Sequence, residues 1–149
     1  MRVSEHRANQ LEPGRILNEE LFLYLVDLEV KRARRYQDFY CLLLLKMTPI
    51  TNREGRGEAK TSFQTLTNLL LTEVRESDIL GLLAENKLAI LLPYADACAG
   101  GLAKSRLEGA LAYYDFRSRG CEVGIRQVCF PINGNARDLI KKVLETDPS

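Results

Sequence analysis

The sequence predicts an α+β domain: one central mixed, largely antiparallel sheet of about five strands, flanked by helices. Three observations carry that expectation. A hairpin signature occupies the middle of the chain, with ILGLLA and LAILLP flanking a polar Glu85-Asn86-Lys87. Stretches of helical spacing precede and follow it, and a continuous apolar run (Tyr40 to Leu45) lies between the first two of them. The chain has 149 residues, 46% hydrophobic and 28% charged, which suits one soluble domain with a substantial core.

Taken in order, residues 1–16 read as a mobile arm closing near Pro13-Gly14, and residues 17–146 as the folded domain. Asn18 is the expected N-cap of a helix from Leu21 to Tyr36, with Leu21, Phe22, Leu25, Val26 and Leu28 at helical spacings. Lys31, Arg32, Arg34 and Arg35 make its last turns basic, as the helix dipole favours. Phe39 to Met47 predicts a strand covered on both faces. Pro49 to Lys60 is polar and Gly-rich and predicts a loop. It lacks the GxxxxGK[ST] pattern of a phosphate-binding loop. Helical spacing resumes from Phe63 to Glu76 through Leu66, Leu70 and Val74, and the hairpin follows. Ala95 to Ala112 predicts a third helix, in which Gly100-Gly101 either weakens the helix or admits a closely packed neighbour. Cys121 to Phe130 predicts a strand, Asn133-Gly134 a turn and Ala136 to Glu145 a last helix.

Composition excludes several function classes. The formal charge of +1 gives no field that would draw the chain to DNA, RNA or an acidic membrane. No apolar run approaches a membrane span, and the N-terminus lacks the apolar stretch of a signal peptide. The four cysteines, at 41, 98, 121 and 129, form no CxxC pair, so a reduced, cytoplasmic chain without a disulfide framework is expected. A single histidine, His6, leaves little basis for His-ligated zinc or Ser-His-Asp catalysis, and no metal or cofactor is expected.

Four segments, FLYLVDLEVKRARRY, FYCLLLLKMT, VRESDILGLLAENKLAILLP and GCEVGIRQVCFPINGNARDLIKKVL, together resemble the GGDEF domain of bacterial diguanylate cyclases. FLYLVDLEVKRARRY resembles the leading helix of that family, and FYCLLLLKMT its first strand. VRESDILGLLAENKLAILLP resembles the segment that carries an RxxD motif, the GGDEF signature and a closing LLP. GCEVGIRQVCFPINGNARDLIKKVL resembles its last strand and helix. The likeness is collinear over about residues 17–145.

The departures fall on the catalytic positions. Ala84, Glu85, Asn86, Lys87 and Leu88 stand where the family has Gly, Gly, Asp or Glu, Glu and Phe. Lys46 and Thr48 replace the first-strand aspartates that, by this resemblance, hold two Mg²⁺ ions against GTP. Mg²⁺ requires hard carboxylate oxygens, so a non-enzyme is expected. By contrast, Arg75 and Asp78 keep the spacing of the family's inhibitory site for cyclic di-GMP, and Arg106 matches an arginine that joins it. A guanidinium fork suits the acceptors of a guanine edge or a phosphate, and a carboxylate suits its N–H donors. The bland alternative is also physical: Arg75 as a helix-end cation, Asp78 as a turn residue and Arg106 as a surface arginine. Two functions are therefore carried forward. One is a non-catalytic cyclic di-GMP receptor that signals through a partner protein, either by a changed surface or as a homodimer sharing the ligand. The other is a protein-interaction scaffold that binds no nucleotide. Binding of GTP without turnover, aided by Lys46, is a weaker third.

Overall fold

Asn18 starts the first helix as expected. Its Oδ1 accepts from the Leu21 backbone N–H at 2.9 Å, satisfying one of the donors left open at a helix start. The computed structural model describes residues 16–50, 56–84 and 86–130. Helix α1 spans Glu19–Tyr36, with Glu19 and Glu20 in its first turn and Arg34 and Arg35 in its last, matching the dipole. It buries Phe22, Leu23, Val26 and Ala33, whereas Leu21 and Leu28 are each 44% exposed. Spacing alone allows two overlapping apolar stripes here, and the sheet beneath selects the one through Phe22 and Val26.

Before α1 lies a strand too short to leave a periodic signal, β1 (Ile16–Leu17). Ile16, read from the sequence as the end of the arm, pairs with Leu80 in the sheet. Strand β2 (Tyr40–Pro49) begins one residue after the expected Phe39, and its residues from Tyr40 to Leu45 are all buried. Helix α2 (Arg56–Glu73) differs from the expected span: it starts before Phe63 and stops short of Glu76. The apolar spacing begins only at Phe63, but Glu58-Ala59-Lys60 are good helix formers that carry the helix backward into the expected loop. At the far end, a turn closed by Asp78 supplants the last helical turn.

Strands β3 (Ile79–Ala84) and β4 (Lys87–Pro93) form the expected hairpin, with a register shift between Leu82 and Ala84. Helix α3 (Ala97–Tyr114) is capped by Asp96, whose Oδ1 accepts from the Ala99 N–H at 2.9 Å. A 3-10 turn (Phe116–Arg119) leads into β5 (Cys121–Phe130), which has the expected bounds. The arm at 1–15, the Asn133-Gly134 turn and the helix at Ala136 to Glu145 lie outside the described residues.

The five described strands make one mixed sheet in the order β1-β3-β4-β2-β5, and among their pairings only β1–β3 is parallel. Alternating side chains of β2 feed two apolar layers. Leu42 and Leu44 pack with Phe22, Leu23 and Val26 beneath α1. Cys41, Leu43, Leu45 and Met47 pack with Leu66, Leu70, Ala103 and Leu107 beneath α2 and α3. Gly100 answers the question posed by the Gly-Gly pair: a Cβ there would lie 2.7 Å from Cys41 Sγ, so α3 approaches β2 through a bare backbone. No described helix is long and apolar enough to cross a membrane.

Candidate functional site

The hairpin end of the sheet gathers the positions that carry metal and substrate in the resemblance. Ala84 pairs with Lys87, so residues 85 and 86 make a two-residue connection, of which Glu85 lies outside the described residues. Asn86 fastens this turn to β2 twice. Its carbonyl accepts from the Met47 N–H at 3.0 Å, and its Nδ2 donates to the Met47 carbonyl at 3.0 Å. Its side chain thus serves the backbone. Leu88 is fully buried in the layer beneath α2 and α3.

Lys46 lies directly opposite Lys87 on β4 and Gly124 on β5, and Thr48 lies opposite Glu122. Like charges facing each other across a ladder destabilise it unless offset, and both lysines take part in further interactions. A hard divalent ion needs several carboxylate or carbonyl oxygens, which the side chains of two lysines at paired positions do not supply.

The RESD segment occupies the turn between α2 and β3. Asp78 Oδ2 accepts from the Arg75 N–H at 2.8 Å, and the Asp78 N–H donates to the Arg75 carbonyl at 3.0 Å. Asp78 therefore holds its own turn, as its residue type favours. Its second carboxylate oxygen takes no part in that bond. Arg75 is exposed, and among the described residues its guanidinium has no hydrogen bond or ion pair. Arg106 reaches from α3 to the end of α2. Its Nη2 donates to the Glu73 carbonyl at 3.3 Å, and its Nε lies 3.5 Å from Glu73 Oε1. This anchors Arg106 two residues before Arg75 in sequence, so all three expected ligand positions serve the same α2–β3 junction.

Sequence reasoning missed a second polar cluster at the opposite end of α1. Arg32 bonds Glu29 one turn back and Asp38 beyond the helix (Nη1 to Oδ2, 2.9 Å). Its guanidinium also lies 4.1 Å from the centroid of Tyr94. The hydrogen bond to Glu29 is the largest cause of a raised Arg32 pKa, in opposition to burial. The basic tract at 31–35 is thus engaged at Arg32 in a fold contact rather than presented to an anion. Tyr94 takes φ 60°, the left-handed region, at the bend between β4 and Asp96. The periodic signal of LAILLP ends at Pro93 and gives no warning of it.

Fold and site together define an α+β domain whose central hairpin projects a polar turn at one end of the sheet, with an arginine-rich junction at the start of the hairpin. Solved structures with this fold are GGDEF domains of diguanylate cyclases and related proteins. A DGC protein from Thermotoga maritima superposes with a TM-score of 0.70 at 18% identity, covering 88% of this chain and 92% of that one. The GGDEF domain of DgcB from Caulobacter crescentus, in complex with c-di-GMP, superposes with a TM-score of 0.72 at 10% identity, over 86% and 81% of the two chains. Diguanylate cyclase SiaD from Pseudomonas aeruginosa, in complex with its activator SiaC, gives 0.70 at 14% identity over 86% of this chain and 52% of that one. No protein-family model matches the sequence, and the search of curated proteins returns no match. At these identities the likeness establishes a GGDEF-type fold.

Proposed function

We propose that this chain is a non-catalytic GGDEF-type signalling domain that binds cyclic di-GMP through Arg75, Asp78 and Arg106 and passes the signal to a partner protein. One observation carries the reading. Arg106 is anchored to Glu73 at the end of α2, which brings its guanidinium to the junction where exposed Arg75 and the Asp78 turn begin β3. A ligand with two guanines and two phosphates offers acceptors to both guanidinium groups and N–H donors to the free Asp78 oxygen. The complex of DgcB with c-di-GMP supports the choice of ligand class, and that of SiaD with SiaC supports a protein partner. Absence of cyclase activity rests on the Lys46–Lys87 pair, which is chemically unsuited to Mg²⁺.

A specific observation favours a second reading, a scaffold that binds no nucleotide. Asp78 already spends one oxygen on its own turn, and Arg106 already has a partner in Glu73, so both residues have a structural use without ligand. Calorimetric titration with cyclic di-GMP, with GTP and Arg75→Ala as controls, separates the two. Binding to the unaltered chain and its loss in Arg75→Ala support the receptor. Absence of heat at protein concentrations near 100-fold above a micromolar Kd supports the scaffold; about 8 kcal/mol of binding free energy would then be missing.

A further inference from the structure

Cys41 and Cys129 stand directly opposite each other on β2 and β5, and their sulfur atoms are 2.7 Å apart. Directly opposed residues of an antiparallel pair have Cα atoms ~4.5–5.5 Å apart, within the ~4.4–6.8 Å that a disulfide spans. Both are free thiols here. Their surroundings differ. Cys41 is fully buried, with the Ala95 and Asp96 carbonyls as acceptors 3.3 and 3.2 Å from its sulfur. Cys129 is half-buried, receives a hydrogen bond from Gln127 Nε2 at 3.0 Å, and lines an open pocket of about 390 Å³. Phe39, Asp96, Ala97, Cys98 and Phe130 complete that pocket. The half-buried residue thus lines the pocket, and its fully buried partner stands opposite it in register. Two thiols held opposite each other in an antiparallel pair can be joined by a two-electron oxidation.

We propose that Cys129 and Cys41 form an oxidation site for a small hydroperoxide, which enters the pocket between Phe39 and Phe130 and leaves the two cysteines joined as a disulfide. In the first step the Cys129 sulfur attacks the terminal peroxide oxygen and the O–O bond breaks. Cys129 becomes a sulfenic acid, and the rest of the reagent departs as water or an alcohol. In the second step the Cys41 sulfur displaces hydroxide from Cys129, and the Cys41 proton leaves with it as water. Two thiols are oxidised by two electrons, and one peroxide bond is reduced. Cys129 lines the pocket and Cys41 does not, which assigns the first attack to Cys129 and the resolving role to Cys41; burial, which pushes the Cys41 thiol up to about 12, acts in the same direction. Cys98, exposed on α3, has no strand partner and is a bystander. The inference does not depend on cyclic di-GMP binding.

The full chain is treated with a few equivalents of hydrogen peroxide, quenched with N-ethylmaleimide under denaturing conditions and mapped by peptide mass spectrometry. The expected product has lost two hydrogens, carries a linked peptide pair holding Cys41 and Cys129, and retains two of its four alkylatable thiols. The bridge closes a loop across 88 positions, so the oxidised chain also unfolds at higher denaturant, and dithiothreitol reverses the gain. Cys98→Ser gives the same product, and Cys129→Ser gives no linked pair. A linked pair containing Cys98, or full alkylation of Cys41 while Cys129 is oxidised, overturns the proposal.

Discussion

Two glycines of α3, nine residues apart, respond in opposite directions to the same methyl group. Around Gly109 a Cβ meets nothing within 4 Å, so Gly109→Ala changes only helix propensity and stabilises the fold by about 1 kcal/mol. At Gly100 the same Cβ would lie 2.7 Å from Cys41 Sγ, 2.8 Å from Gln127 Nε2 and 3.1 Å from Cys41 Cβ. The Gln127 amide ends a flexible side chain and can swing away, though it then loses its 3.1 Å bond to the Ala97 carbonyl. Cys41 cannot yield in the same way, because its Cβ is fixed to β2 between paired neighbours on both sides. Overpacking of this kind costs about 1–3 kcal/mol, against which the propensity gain offsets about 1. Gly100→Ala is therefore expected to lower stability by up to about 2 kcal/mol, and Gly109→Ala to raise it. Urea unfolding followed by far-UV circular dichroism gives both midpoints under identical conditions. Equal stabilisation by the two substitutions would refute the claim that α3 docks on β2 through Gly100.

Asn18→Ala removes the acceptor for the Leu21 N–H and should cost about 1 kcal/mol by the same assay, while Asn18→Asp should cost little. Arg75→Ala should leave the urea midpoint within the equivalent of about 0.5 kcal/mol, because its side chain is exposed. Asp78→Ala should cost about 1 kcal/mol, because its carboxylate closes the α2–β3 turn. A binding loss in Asp78→Ala is therefore read only beside Arg75→Ala. Stability should also fall in alkali. Burial raises the Tyr40 hydroxyl above its usual range and the Cys41 thiol from 9.0 to about 12. A raised folded-state pKa contributes stability that is whole below the unfolded value and is lost as pH rises toward the folded one. The urea midpoint is thus expected to hold near pH 7–8 and to decline from about pH 9 upward. A midpoint that is flat to pH 11 would contradict the burial of both groups.

Much of this domain was legible in the sequence because its signals are local. Two apolar runs around a polar turn placed the hairpin from Ile79 to Pro93, Asn18 announced the start of α1, and β5 has the predicted bounds. Local signals failed where they were weak or shared. A two-residue strand such as β1 has no period to read, and its pairing with β3 depends on a neighbour more than sixty residues away. The stretch from Arg56 to Phe63 has helix-forming residues without an apolar stripe, so the start of α2 was misplaced. On α1, Leu21 and Leu28 satisfy the same spacing rule as Phe22 and Val26, and only the sheet beneath decides between them.

The candidate site divides along the same line. The sequence by itself determined which chemical groups are present: two arginines and an aspartate at Arg75, Arg106 and Asp78, and no aspartate at Lys46, Thr48 or from Ala84 to Leu88. Those identities follow from residue type and spacing and need no coordinates. Only the tertiary structure decided which groups meet. It set Lys46 against Lys87, anchored Arg106 on Glu73, and brought Cys41 face to face with Cys129. Each of these pairs joins positions that are remote in the chain, and their contact follows from strand register and helix docking, which no single segment encodes.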